Sequence, residues 1–185
     1  MFHYYLRQRY SPSQVSCMAF DAHFQPIFIV TGQSGRIGDC LAVCDLSGNR
    51  LVEIQQLSLG VVPRFLLRER NQELSSLTLH LGYVANLIYL RKLNWLITGN
   101  FITQNYVTYH HTKKIAAVKP QAQPDGLYDE IATTVSADQL PILIAITALL
   151  DIWYLNHDLM SQFLPRQNWQ SNIQAEMEVA KIKYD

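Results

Sequence analysis

Short runs of β-branched and aromatic residues, separated by clusters of polar turn-forming residues, fill the chain up to about residue 134. This alternation is typical of consecutive antiparallel strands, and helical periodicity is hard to find there. The clearest hairpin turn is Ser47-Gly48-Asn49, because Gly and Asn accept the positive φ that such a turn requires. About twelve segments fit a strand: 2–9, 15–20, 26–31, 39–44, 50–57, 61–68, 73–80, 83–90, 94–99, 104–109, 114–119 and 127–133.

A different pattern begins near residue 140. Residues 140–155 are apolar on every side of a helical wheel, Asp138 is placed to cap the helix, and Pro141 falls in its first turn, where a missing N–H is tolerated. A helix that is apolar all round must be enclosed all round. Closing the strands around it also removes exposed sheet edges. We therefore predict a mainly β fold, a closed antiparallel barrel of about twelve strands around one central hydrophobic helix. The alternative is a pair of buried strands, since isoleucine favours sheets.

Beyond residue 155 the chain becomes polar and amphipathic. Trp169, Ile173, Met177 and Ala180 recur at spacings of three and four residues, which indicates a final helix. We expect a barrel domain over residues 1–155 and a helical extension over 156–185. The apolar stripe of the extension needs one surface, supplied by the barrel wall or by a second subunit of a homo-oligomer.

Composition narrows the classes of partner and compartment. Fifteen basic and fifteen acidic residues give a formal net charge of zero, which argues against a general partner such as duplex nucleic acid. Cys17, Cys40 and Cys44 form no Cys-x-x-Cys pair, which favours a reducing cytoplasm. We interpret Cys40 and Cys44 as buried free thiols, with a redox pair as the alternative. The first nine residues lack a signal-peptide pattern, and the longest apolar run is shorter than the roughly 20 residues that cross a bilayer. The sequence thus predicts a cytoplasmic location without a transmembrane segment.

Metal and cofactor chemistry finds little support in the residue pattern. The six histidines show no metal-ligand spacing, and we expect no metal and no cofactor. His110 and His111 lie beside Lys113 and Lys114 in a predicted turn, which we interpret as a solvated hairpin tip that contributes positive charge, with an active site as the alternative. The stretch 32–38 with Arg36 is interpreted as a glycine-rich loop, with an anion cradle on its backbone N–H groups as the alternative.

Catalytic carboxylates are not expected either. Asp129 and Glu130 are adjacent on a strand, hence on opposite faces, which is wrong for a cooperating acid and base. Asp151, at the end of the buried helix, must emerge into water or find a partner, because a buried unpaired carboxylate costs several kcal/mol or shifts its pKa. We predict a structural hydrogen bond from barrel backbone or a basic side chain, with catalysis as the alternative.

One basic feature is a candidate ligand site. Arg64, Arg68 and Arg70 alternate along a predicted strand and would project from one face, roughly 7 to 13 Å apart. Arg91 and Lys92 follow an adjacent hairpin, so the five side chains form a predicted anionic-ligand patch. The alternative is a solvated strand face balanced by nearby Glu residues.

A series of landmarks in order along the chain resembles the LURP-one-related family, whose members share the tubby-like barrel fold. The landmarks are Asp21 and residues 4–9, 26–32, 38–39, 44–49, 54–56, 63–65, 99–101, 105–106, 116–119 and 138–151. The resemblance implies a barrel around a central helix, and tubby proteins with this barrel are associated with phosphoinositide binding. Segments 74–93 and 119–121 depart from the family pattern.

The expected function is a non-enzymatic binding or scaffolding domain. An anionic ligand such as a phospholipid headgroup, or a protein partner, is the expected occupant of its surface. Two alternatives stay open: an enzyme whose site is built from unrecognised single residues, and a structural oligomer assembled through residues 156–185.

Overall fold

Twelve strands and one helix make up the part of the chain that the computed structural model describes, residues 1–7, 15–60, 62–81, 86–101 and 103–155. The predicted strand count and single helix are confirmed, whereas the predicted extension lies outside the described residues. The strands are β1 Phe2–Arg7, β2 Val15–Phe20, β3 Pro26–Gly32, β4 Cys40–Cys44, β5 Arg50–Gln56, β6 Arg64–Glu69, β7 Gln72–Leu81, β8 Asn86–Leu90, β9 Trp95–Asn100, β10 Asn105–His110, β11 Lys113–Gln123 and β12 Gly126–Thr133. The helix is α1, Leu140–Leu155.

The sheet closes on itself because its first and last strands pair. Each strand is antiparallel to the next, and β1 pairs with β12 from Phe2↔Thr133 to Arg7↔Tyr128. Along the wall, inward residues such as Leu6 and Ala19 are fully buried and alternate with outward ones. In the closed wall every described strand has a paired neighbour on both sides, as the sequence pattern predicted.

Helix α1 lies inside the barrel, and the alternative of two buried strands is wrong. Residues 140–152 are all buried, and the helix packs against β3, β4 and β5. At its far end Trp153 meets Phe65 of β6 edge to face, with ring centroids 5.7 Å apart. The hydroxyl of Thr147 donates to the carbonyl of Leu143 at 3.0 Å, which satisfies one of the few polar groups on the helix.

The start of α1 differs from the prediction. Asp138 is exposed, and among the described residues its carboxylate caps no backbone N–H. The backbone N–H groups of Gln139 and Leu140 instead donate to the carbonyl of Ser136, each at 3.1 Å. A backbone turn therefore closes the first turn of the helix.

Strand β11 is longer than predicted because it continues through Pro120. Proline has no N–H to give to a sheet and normally ends a central strand. Here β10 pairs with β11 only as far as Val118, whereas β12 pairs with it up to Gln123. Pro120 thus lies where one side of β11 has no ladder, and the β11–β12 hairpin extends beyond the wall.

The three cysteines are free thiols, as expected. Cys17 is buried, but Cys40 and Cys44 are only half-buried, because they lie at the two ends of β4 on its outer face. Burial raises the pKa of Cys40, and the nearby carboxylate of Glu53 adds to this rise. The Cys40 thiol is therefore poorly ionised and a weak nucleophile.

Candidate functional site

The structure does not form the single strand face predicted through Arg64, Arg68 and Arg70. Strand β6 ends at Glu69, and Arg70 lies in the β6–β7 turn with φ 45°. Asn71 follows with φ 68°, so both turn residues are left-handed, as a two-residue hairpin requires. Arg64 is exposed at the opposite end of the strand.

Arg68 is already engaged by neighbouring side chains of β5. Its Nη1 donates to Glu53 Oε1 at 3.1 Å and to Gln55 Oε1 at 2.9 Å. Glu53 also binds Arg50, so its carboxylate bridges two guanidinium groups on the outer wall. The other three members of the predicted patch, Arg70, Arg91 and Lys92, form no ion pair with Glu53 among the described residues.

These three side chains belong to a larger group at one end of the barrel, which we call the basic rim. In an antiparallel barrel the β6–β7, β8–β9 and β10–β11 turns all lie at the same end. Lys92 Nζ donates to the carbonyl of Glu73 at 3.4 Å, and the N–H of His111 donates to the carbonyl of Asn94 at 3.3 Å. These contacts join the three turns. The basic rim consists of exposed side chains only: Arg70, Arg91, Lys92, His110, His111, Lys113 and Lys114.

The sequence contains a signal for the basic rim that net charge conceals. Residues 74–124 contain no Asp or Glu, although the whole chain is neutral. The basic residues of this stretch therefore have acidic partners only from other parts of the chain. Lys119 has one, because its Nζ lies 3.0 Å from Glu130 Oε2. A count of charged residues strand by strand would have identified the β8–β9 and β10–β11 turns as one positively charged region.

Buried polar groups lie inside the wall around the second half of α1. Asp151 is fully buried, and its Oδ1 accepts a hydrogen bond from Gln104 Nε2 at 3.1 Å. The predicted structural hydrogen bond is present, but its donor is a side-chain amide. Burial raises the pKa of Tyr106 well above its ordinary value, and the charges of Asp151 and Asp129 add to the rise. The Tyr106 hydroxyl thus stays protonated at neutral pH.

Asp129 and Glu130 lie on opposite faces of β12, as predicted. Asp129 is fully buried opposite Leu6, inside the barrel. Glu130 points to the outer face, where it is bound by Lys119 and by His3 Nδ1 at 2.8 Å. Burial raises the pKa of Glu130, but the hydrogen bonds and charges of Lys119 and His3 outweigh it and hold the pKa below 4.5.

Glu130→Gln should destabilise the fold by on the order of 1 kcal/mol at neutral pH, since the partners of the carboxylate are largely exposed. Because the folded-state pKa is lowered, the ionised carboxylate stabilises the fold above the unfolded pKa of about 4.5, and this is lost as pH falls through the folded pKa. Urea unfolding should show the two proteins converging between about pH 6 and pH 3. Glu73→Gln, at an exposed site, is the control, and an undiminished gap at low pH would contradict this assignment.

The glycine-rich loop is not an open anion cradle. The N–H of Gly35 donates to Gln56 Oε1 at 3.2 Å, and that of Arg36 donates to Asp39 Oδ2 at 2.9 Å. The N–H of Gly38 donates to the backbone carbonyl of Gln56 at 2.9 Å. The donors of Gly35 and Gly38 therefore hold the β3–β4 loop against β5, and that of Arg36 closes a turn within the loop. The interpretation as a structural loop is confirmed.

A second surface feature was not singled out from the sequence. An open cleft of about 310 Å³ lies on the outer wall, where β1, the β2–β3 turn and the β11–β12 hairpin meet. Its lining combines aromatic rings with one cation and one carboxylate from distant parts of the chain: Arg7, Phe20, Phe24, Gln123, Asp125 and Tyr128.

Metal-ligand clusters of three or more His, Cys, Asp or Glu side chains do not occur among residues 1–7, 15–60, 62–81, 86–101 and 103–155. Within the same ranges, no helix reaches the length and apolarity needed to span a bilayer. In comparisons with known proteins, no family model matches the chain, and neither a curated protein nor a solved structure is significantly similar to it.

Proposed function

We propose that this protein is a non-enzymatic binding domain that docks on membrane surfaces rich in anionic phospholipid headgroups. The observation that carries the proposal is the basic rim, in which three neighbouring turns present exposed cations at one end of the barrel. The enclosed helix α1 favours a ligand on the outside of the barrel, because its side chains occupy the interior.

The charge distribution supports a flat anionic partner. Glu69 and Glu73 border the rim on the β6–β7 side, whereas the next two turns contain only basic and neutral residues. Each Lys or Arg near an anionic membrane surface contributes about 1 kcal/mol of binding free energy. The five Lys and Arg residues of the rim can therefore supply roughly 5 kcal/mol, enough for reversible attachment.

Vesicle sedimentation tests the proposal. Phosphatidylcholine vesicles that contain phosphatidylinositol phosphates should sediment the protein at low salt, and pure phosphatidylcholine vesicles should not. Binding should weaken near about 0.5 M salt, where screening acts within a few ångströms. Arg91→Ala/Lys92→Ala should lower the partition coefficient roughly 30-fold, since two charges of about 1 kcal/mol each are lost.

Arg36→Ala/Arg64→Ala is the matched control, because both arginines are exposed at the opposite end of the barrel. This double variant should bind as the wild type does. It also separates the rim from the sequence-predicted patch, which included Arg64. Equal binding by all three proteins, or an equal loss in both variants, would refute the rim as the docking surface.

The family assignment is part of the same proposal. We infer membership in the LURP-one-related family from the sequence landmarks, and the twelve-stranded barrel followed by one helix supports it. The three free cysteines support a cytoplasmic location, where thiols stay reduced. On this view the barrel is a scaffold that presents the rim, and its headgroup preference lies in the turns.

A further inference from the structure

The outer cleft lies on a part of the wall away from the turns that carry the basic rim. Phe20 pairs with Tyr5, and Arg7 pairs with Tyr128, so the lining side chains from β1, β2 and β12 share the outward face. Tyr128 forms the floor, because it is only 2% exposed. The β11–β12 hairpin, which extends past the wall at Pro120, supplies Gln123 and Asp125 to the edge of the cleft.

Phe24 stands in a backbone conformation that normally selects glycine. In the β4–β5 turn Asp45 Oδ1 accepts the N–H groups of Ser47 and Asn49, and Gly48 occupies the left-handed position with φ 86°. The β2–β3 turn has the same pattern, since Asp21 Oδ1 accepts the N–H groups of residues 23 and 25.

The equivalent left-handed residue of the β2–β3 turn is Phe24, with φ 56°. A bulky residue at such a φ is strained and is a pointer to function. In this conformation the Phe24 ring stacks on the ring of Tyr5, with the ring centroids 4.5 Å apart. It meets the ring of Tyr128 edge to face, with the centroids 5.8 Å apart. Because 40% of Phe24 remains exposed, the ring is an open aromatic wall of the cleft.

The polar side of the cleft contains both signs of charge. Arg7 Nη2 donates to the carbonyl of Asp125 at 2.7 Å and lies 3.3 Å from its Oδ2. The Tyr128 hydroxyl donates to the same Oδ2 at 2.8 Å. Asp125 Oδ1 has no donor among the described residues, and within them Arg7 donates only through Nη2. Each ion thus keeps hydrogen-bonding capacity toward the cleft.

We propose that the cleft binds a small zwitterion with an apolar body, of the α-amino-acid class. A simple anion would meet the Asp125 carboxylate, and a simple cation would meet the Arg7 guanidinium. A ligand with adjacent carboxylate and ammonium groups satisfies both, while its side chain contacts the rings of Phe20 and Phe24. A volume of about 310 Å³ is at the small end of ligand pockets and suits one amino acid.

Calorimetric titration of the full chain with L-phenylalanine, 3-phenylpropanoate and 2-phenylethylammonium tests the charge requirement. The three compounds share a phenyl group. Phenylalanine carries both charges, 3-phenylpropanoate only the carboxylate and 2-phenylethylammonium only the ammonium. We expect phenylalanine to bind at least about tenfold more tightly than either analogue, because each analogue can form only one of the two charge-assisted contacts that Arg7 and Asp125 offer. Equal affinity for the three, or no heat with any of them up to about 10 mM, would overturn the proposal.

Two variants test the residues. Phe24→Gly places the ordinary residue in the left-handed position, so the barrel should melt near the wild-type temperature while phenylalanine affinity falls at least about tenfold. Phe2→Gly, at an exposed ring outside the cleft, is the matched control and should bind normally. Asp125→Asn should change specificity, so that 3-phenylpropanoate binds as well as phenylalanine. Unchanged affinity in Phe24→Gly, or unchanged specificity in Asp125→Asn, would refute the site.

Discussion

Ile146→Asp is expected to abolish folding of the barrel. Ile146 is fully buried in the middle of α1, in a segment where every side chain from residue 140 to 152 is buried. The substitution removes an apolar side chain from the core and encloses a carboxylate, at a cost of several kcal/mol. Because a domain of this size is stable by only about 5–15 kcal/mol, the folded state should be lost or nearly lost.

Circular dichroism and thermal melting measure this outcome. Ile37→Asp is the matched control, because Ile37 is 65% exposed in the β3–β4 loop, so the same substitution leaves the carboxylate in solvent. The control should melt within a few degrees of the wild type. If Ile146→Asp melted cooperatively at the wild-type temperature, α1 could not form the core of the barrel.

Gly32→Ala is expected to destabilise the barrel by on the order of 3–5 kcal/mol. Gly32 closes the β3–β4 pairing opposite Leu41, with φ 144°. A Cβ added there would lie 2.0 Å from the carbonyl oxygen of Cys40 and 2.9 Å from the Cα of Leu41. Both are backbone atoms of β4, so relief requires a shift of the strand that packs on α1.

Gly35→Ala separates the clash from the backbone conformation. Gly35 lies in the adjoining β3–β4 loop with φ 126°, but a Cβ there would have nothing within 4 Å. The free energy of unfolding of this variant should fall only by the cost of the unusual φ, about 1–3 kcal/mol. Urea unfolding of both variants gives the difference, and equal losses would show that β4 yields freely at Gly32.

The sequence predicted the barrel because two patterns supported each other. The alternating runs predicted strands, and the all-apolar run from residue 140 required an enclosure. Strand ends were less predictable: β11 passes through Pro120, which local propensity assigns to a strand end. The strand continues through Pro120 because β11 pairs there with β12 but no longer with β10.

The candidate sites were partly accessible from the sequence. The predicted patch already contained Arg70, Arg91 and Lys92 of the basic rim. Arg68 was not recognised as an ion-pair partner of Glu53, because that contact depends on the register of β5 and β6. The outer cleft joins Arg7 and Asp125 only because β12 pairs with β1. One local signal did exist, since a Phe stands in the Asp21 turn where the Asp45 turn has Gly.

The pairing of β1 with β12 has a consequence for the order of events during synthesis. The ribosome makes β1 first and β12 last among the strands, so at roughly 5–20 residues per second β1 waits on the order of ten seconds for its partner. Helix α1 follows later still. Until then the growing sheet has two unpaired edges and an uncovered apolar face, the features that promote aggregation of nascent chains. We therefore expect the barrel to close only after translation has passed α1, with the nascent chain dependent on chaperones until that point.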